Sequence, residues 1–260
     1  MIEERKTANR ILTRARLASL ALSLLVSLSV TSCAQKTYDP PPSGPPPEPP
    51  KSSAVEKDFV ALGNGKDMTD FDLAGTTADT WPVEDGIIKC TGNPKGYFAT
   101  KKSYKNYTLR LDIRYPEKPG NSGFLVHIIP PFKVWPACIE VQGMYDQLCA
   151  VFPIGGMAGP KMDDYKARNL AIKPYHQWNS IEVISKDGMV TSKLNGQKVA
   201  EAGPFPVKEG PIGFQSEGVP IYFHNLRIKE ETDSSPTNTS STSKDDEVKT
   251  PADETEKTGE

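Results

Sequence analysis

Histidine and cysteine are scarce in this chain. Its 260 residues hold three histidines and four cysteines, and none falls into the paired spacings that mark a metal-ligand motif. No basic stripe remains once the two ends are set aside. The net charge of -2 sums a basic leader and an acidic tail, so nucleic acid is not an expected partner. No stretch keeps a helical period for long and no repeat recurs, which removes helical bundles and solenoids. Only one long apolar run exists, "LASLALSLLVSLSV" from Leu17 to Val30. It is shorter than the roughly 20 residues a spanning helix needs.

What is present at the N-terminus is an export signal. Arg5, Lys6, Arg10, Arg14 and Arg16 precede the apolar run, and "VTSC" closes it at Cys33. That ending resembles the lipobox of bacterial lipoproteins. The resemblance implies cleavage before Cys33 and lipidation of its sulfur, with several acyl chains giving a stable membrane anchor. Ala34 and Gln35 follow instead of an aspartate, which favours the outer membrane in a two-membrane envelope. Residues 1–32 are thus read as a signal peptide and 33–56 as the lipidated cysteine plus a proline-rich spacer, "YDPPPSGPPPEPPKSS". Residues 231–260 hold nine acids against three lysines, no aromatic residue and one large aliphatic, Val248. Such a segment buries too little apolar surface to offset the entropy of ordering, so a disordered tail is expected.

Residues 57–230 remain as one domain. "EDG", "KDG" and "LNG" (Glu84–Gly86, Lys186–Gly188, Leu194–Gly196) each sit between candidate strands and supply hairpin turns. "NYTLRLDIRY" alternates, with Tyr107, Leu109, Leu111, Ile113 and Tyr115 on one face. Ile181 and Val183 alternate with Glu182 in the same way. In "IYFHNLRIK" the alternation puts Leu226 and Ile228 on the face of His224. Many short strands with tight turns predict an all-β jelly-roll sandwich. The segment from Gly143 to Tyr175 has weak periodicity and is expected to be a long functional loop. Cys90, Cys138 and Cys149 cannot all pair: either Cys138 and Cys149 are bridged or all three are free thiols.

"ACIEVQG" puts Ile139 and Val141 on one face and Cys138, Glu140 and Gln142 on the other. That second face is either a wet sheet surface or the floor of a pocket. In "NSGFLVHI" the polar His127 interrupts an apolar run.

The order of "LGNGKDMTDFDL", "WPVEDGIIKC", "GYFATKKSYKNYTLRLDIR", "NSGFLVHI", "CIEVQG", "QWNSIEVISKDGMVTSKLNGQKV" and "EGPIGFQSEGVPIYFHNLRIK" resembles the 3-keto-disaccharide hydrolase domain family. The likeness runs over nearly all of 58–229. It implies a concanavalin-like jelly roll and cleavage of glycosides whose C3 hydroxyl is oxidised to a ketone. Two positions commonly arginine in the family are histidine here, 127 and 224. A 3-ketone acidifies the C2 proton, so elimination needs a base near C2 and a donor for the enolate oxygen. Glu140 is the candidate base, and His127 and His224 are candidates for the acid or enolate donor. Gln142 and Asn121 are candidates for sugar hydroxyls, and Trp135 for ring stacking. Each has a bland counterpart: a solvated strand face for Glu140 and Gln142, a core histidine at 127, an edge contact at 224 and a turn at Asn121. No cofactor is predicted. A divalent metal held by the histidines and Glu140 is the other route to an electrophile. The rival function is a carbohydrate-binding module without catalysis.

Overall fold

The structure, a computed structural model, describes residues 37–50 and 56–231. The leader, Cys33 and the tail after 231 lie outside the described residues. The chain divides into two units, Met1–Pro42 and Ser43–Glu260, and every strand named below belongs to the second. Among the described residues no helix is long and apolar enough to cross a membrane.

The strands are, in order, β1 (Val60–Ala61), β2 (Phe71–Ala74), β3 (Val83–Glu84), β4 (Ile87–Cys90), β5 (Gly96–Thr100), β6 (Tyr107–Arg114) and β7 (Gly123–Ile129). They continue with β8 (Ala137–Gln142), β9 (Val151–Ile154), β10 (Asn179–Lys186), β11 (Met189–Leu194), β12 (Gln197–Ala202), β13 (Gly213–Ser216) and β14 (Ile221–Glu230). They form two antiparallel sheets stacked as a jelly-roll sandwich. One sheet runs β12-β11-β10-β6-β14-β4-β3, with β1 added beside β14. The other runs β2-β5-β13-β7-β8-β9.

Strand alternation fills the space between the sheets. Tyr107, Leu109, Leu111, Ile113, Ile181 and Val183 are buried there. Phe98 of β5 stands at the centre. It stacks on Phe214 at 4.7 Å and meets Trp81 edge-on at 4.9 Å and Phe71 at 4.7 Å. The three turns adopt the backbone their residues favour. Asp85-Gly86, Asp187-Gly188 and Asn195-Gly196 all have positive φ at both positions, between 48° and 88°, as a two-residue type I′ hairpin requires.

Two expectations are corrected and one open alternative is decided. The segment from Gly143 to Tyr175 is not a long loop: it holds β9 and a helix, Tyr165–Ala171, whose first turn is capped by the Asp164 carboxylate. Leu226 and Ile228 do not share a face with His224. A bulge between His224 and Arg227, with Asn225 at φ 57°, inserts an extra residue and reverses the alternation. Of the two readings for the cysteines, the structure has the free thiols: Cys90, Cys138 and Cys149 are all buried and unbridged.

Because Phe98 packs on Phe71 and Phe214 of its own sheet and meets Phe223 of the opposite sheet at 6.5 Å, Phe98→Ala is expected to cost about 3–5 kcal/mol. Urea unfolding followed by tryptophan fluorescence measures it; a cost below about 1 kcal/mol would remove Phe98 from the centre of the core.

Candidate functional site

In β8, Ile139 and Val141 point into the sandwich, so Glu140 and Gln142 point to the outer face of the six-stranded sheet. Cross-strand pairing extends that face. Glu140 is opposite Leu125 of β7 and Phe152 of β9, and Gln142 is opposite Gly123. Gln215 of β13 is opposite Tyr97 of β5. The face is neither wet nor apolar throughout. Glu140, Gln142, Tyr97 and Gln215 are all buried, Tyr97 and Gln215 to 1% exposure.

Gly123 opens the space. A Cβ there would collide with Oε1 of Gln215 and with Oε1 of Glu140, so the two side chains face each other across the missing methyl. Around them the polar atoms are under-bonded. Tyr97 Oη, both terminal atoms of Gln215 and Oδ1 of Asn121 are buried without a hydrogen-bond partner among the described residues. A buried polar group left unpaired costs about 1–3 kcal/mol. Four such atoms share one patch, each without a bond from the described residues.

Burial pushes the Glu140 carboxyl up to about 7 from an ordinary 4.5, and the nearby Glu217 carboxylate adds to the rise. Glu217 is itself raised by burial. It sits at the rim, 3.9 Å from the Lys95 ammonium and bridged through its backbone to Asn121. Burial holds the Tyr97 phenol up at about 12, so it remains a donor at neutral pH. The loop 130–136 folds back over the face: Val134 Cγ2 lies 2.7 Å from where a Cβ would stand at Gly75, at the far end of β2. Trp135, beside it, is 41% exposed.

The predicted site residues are thus only partly brought together. Glu140, Gln142 and Asn121 share one end of the outer face, and Trp135 belongs to the loop that walls it. The Gln142 amide oxygen accepts from Met144 N–H at 2.8 Å and fixes the turn after β8. His127 is elsewhere. Simple alternation from Gly123 and Leu125 would put it on the Glu140 face. The bulge between Val126 and Ile129, with His127 at φ 55°, turns it inward and Ile128 outward. Its ring lies between the sheets, Nε2 2.7 Å from Ser185 Oγ and 5.8 Å from the Tyr107 ring. Burial lowers its pKa to about 4, so at neutral pH it is an uncharged core histidine. His224 lies on the outer face of the opposite sheet, its Nδ1 3.9 Å from Asp112 and its ring 5.8 Å from Trp178. Neither histidine can serve as acid or enolate donor to Glu140. The three cannot hold one metal, because they occupy three different layers of the sandwich. Among the described residues no three His, Cys, Asp or Glu come together as a metal cage.

The residues that sequence reasoning missed are Tyr97, Gln215, Glu217 and Lys95. Gln215 carried a signal, a lone amide in the apolar stretch "GPIGFQS". Tyr97 carried none, since an aromatic in a strand is ordinarily core.

A family model described as 3-keto-alpha-glucoside-1,2-lyase-like domain matches residues 58–229. The crystal structure of a provisionally assigned glycosyl hydrolase from Parabacteroides distasonis ATCC 8503 is similar at 25% identity and TM-score 0.53. It covers 70% of this chain and 99% of that one. A second such structure from the same organism is similar in fold, at 20% identity and TM-score 0.52, covering 66% and 99%. No curated protein matches the chain.

The state of Glu140 leaves a trace in stability. The folded protein binds this proton more tightly than the unfolded chain. Stability therefore holds below pH 4.5 and declines as pH rises from there to about 7. Glu140→Gln is expected to remove its own share of that decline, leaving a smaller one from Glu217, and to gain about 2–3 kcal/mol above pH 7. Urea midpoints from about pH 4 to 8 test this; an identical pH dependence in the variant would show that Glu140 is solvated.

Proposed function

We propose, for a chain that belongs to the 3-keto-alpha-glucoside-1,2-lyase-like domain family, that it cleaves 3-keto-glycosides by elimination with Glu140 as the base. At the coarser level it is a carbohydrate-active jelly-roll domain. The observation that supports the finer reading is a carboxyl poised at about 7, facing a free amide across the opening at Gly123.

The chemistry follows from the ketone. Glu140 takes the proton from C2, and the bonding pair moves onto the C3 oxygen as an enolate. When the C3 carbonyl re-forms, the C1–C2 double bond forms and the C1–O bond breaks. The departing alkoxide takes up a proton, and the protonated Glu140 is a local source of one. Later addition of water across the double bond gives net hydrolysis. A base whose pKa lies near neutrality is well matched to this step. Tyr97 Oη and the Gln215 amide are donors with no partner among the described residues, suited to the enolate oxygen. Asn121 and Glu217 at the rim suit sugar hydroxyls, and the exposed Trp135 ring suits a sugar face.

The exposed ring also favours a second reading, binding without cleavage. The two separate in one experiment: incubate the protein with a 3-keto-α-glucoside and follow release of the C1 substituent. Turnover is expected to rise with pH through about 7 as Glu140 ionises. Glu140→Gln is expected to lose at least about 100-fold in kcat while still binding by calorimetry. No turnover of any 3-keto sugar, with binding of unoxidised glycans intact, establishes the binding module instead.

We further propose that the protein is a cell-envelope lipoprotein held through Cys33, with the outer membrane favoured. The "VTSC" ending of the leader supports this. Cys33→Ser is expected to move the protein from the membrane fraction to the soluble one; unchanged membrane retention would reject the lipid anchor.

A further inference from the structure

The outer face of the eight-stranded sheet, behind the Glu140 site, carries a side-chain cluster with no role in the proposed chemistry. Arg114 of β6 is 7% exposed, its Nε bonded to nothing among the described residues. Its guanidinium lies 5.3 Å from the Trp178 ring and 5.0 Å from that of Tyr222. Cation–π attraction between these groups holds the indole in place on the sheet. The Trp178 Nε1–H has its partner outside the two sheets. It donates to the carbonyl of Pro47 in the proline-rich segment, at 3.2 Å.

That partner is chemically apt. A proline run has almost no backbone donors, so its carbonyls must find donors elsewhere. It is also ordered before it binds, which lowers the entropy lost on docking. An aromatic surface presenting one indole N–H is the recurrent receptor for such a helix. Pro49 and Pro50 are half-buried, whereas Pro45, Pro46, Pro47 and Glu48 are exposed, so Pro47 meets the indole through its carbonyl while its ring faces outward. Further along, the Glu56 carboxylate is gripped by Arg110 at 2.9 Å and Arg227 at 3.0 Å. The Phe59 ring lies against the same two guanidiniums, at 4.7 and 5.8 Å.

We propose that Trp178, held by Arg114, is a polyproline-binding surface whose occupant is the chain's own segment 45–50. Segment 45–50 is therefore not a free tether. It is strapped across the back of the sandwich and leaves the domain from the face opposite Glu140.

Limited trypsin digestion of the full chain tests this at the Lys51–Ser52 bond, with Lys244 as the internal reference. Trp178→Phe keeps a ring over Arg114 but removes the N–H donor. Pro47→Gly removes the preorganisation. Trp178→Phe is expected to raise the Lys51-to-Lys244 cleavage ratio about five-fold, the worth of one hydrogen bond, and Pro47→Gly about two- to five-fold, the worth of one proline's backbone restriction. An unchanged ratio in both variants overturns the proposal. Should Trp178→Phe loosen the domain, cleavage would appear at Lys102 within it, and the Pro47→Gly result alone then decides.

Discussion

A carboxylate kept from water governs the candidate site. Glu140 can be buried without a salt bridge because it can keep its proton near neutral pH. Its burial depends on Gly123, where the absent side chain lets Glu140 and Gln215 approach each other over the strand. A larger residue would fill the opening; a more open sheet would return the acid to its ordinary value. The under-bonded Tyr97, Gln215 and Asn121 belong to the same trade. They cost stability in the free protein and become useful only when a ligand with hydroxyls or a carbonyl satisfies them.

The sandwich makes that cost bearable. β5 shows how: Phe98 points inward to the aromatic centre while Tyr97 and Ala99 point outward to the site face. The same strand thus fastens the core and supplies a donor to the site. Glu140 is likewise flanked in its strand by Ile139 and Val141, both fully buried between the sheets. The site is built on rigid strands rather than on loops, which suits a group that must hold its position against a reacting carbon. The back of the molecule is different in kind: apart from Arg114, which rests on aromatic rings, it carries a cluster of paired charges. Arg110, Glu182, Lys193, Glu56 and Arg227 form a linked ionic network on the other sheet.

Much of this was legible residue by residue. The alternation in β6 and β10 named the inward faces correctly, and the Asp-Gly and Asn-Gly pairs marked all three hairpin turns. Glu140 and Gln142 were placed together for the same reason. Two of the failures share one cause. At His127 and at Asn225 a bulge adds a residue to the strand and reverses which side chains face outward. Alternation cannot show this, because both bulged residues sit in strongly β-forming stretches with no glycine to flag the positive φ. The segment after β8 hid a strand and a helix because each is too short to establish a period.

Local pattern alone, then, determined that this chain makes short antiparallel strands, which faces of most strands are apolar, and that a carboxylate stands on one outward face. It also set the proline-rich stretch apart from the fold, since proline cannot join a sheet interior. Which strands became neighbours was decided only by the tertiary structure. That pairing brought Tyr97, Gly123, Glu140 and Gln215 onto one outward face from four separate strands and sent His127 and His224 to other layers. The reason is physical: side-chain direction is a property of a few consecutive residues. The company a side chain keeps depends on contacts between strands far apart along the chain.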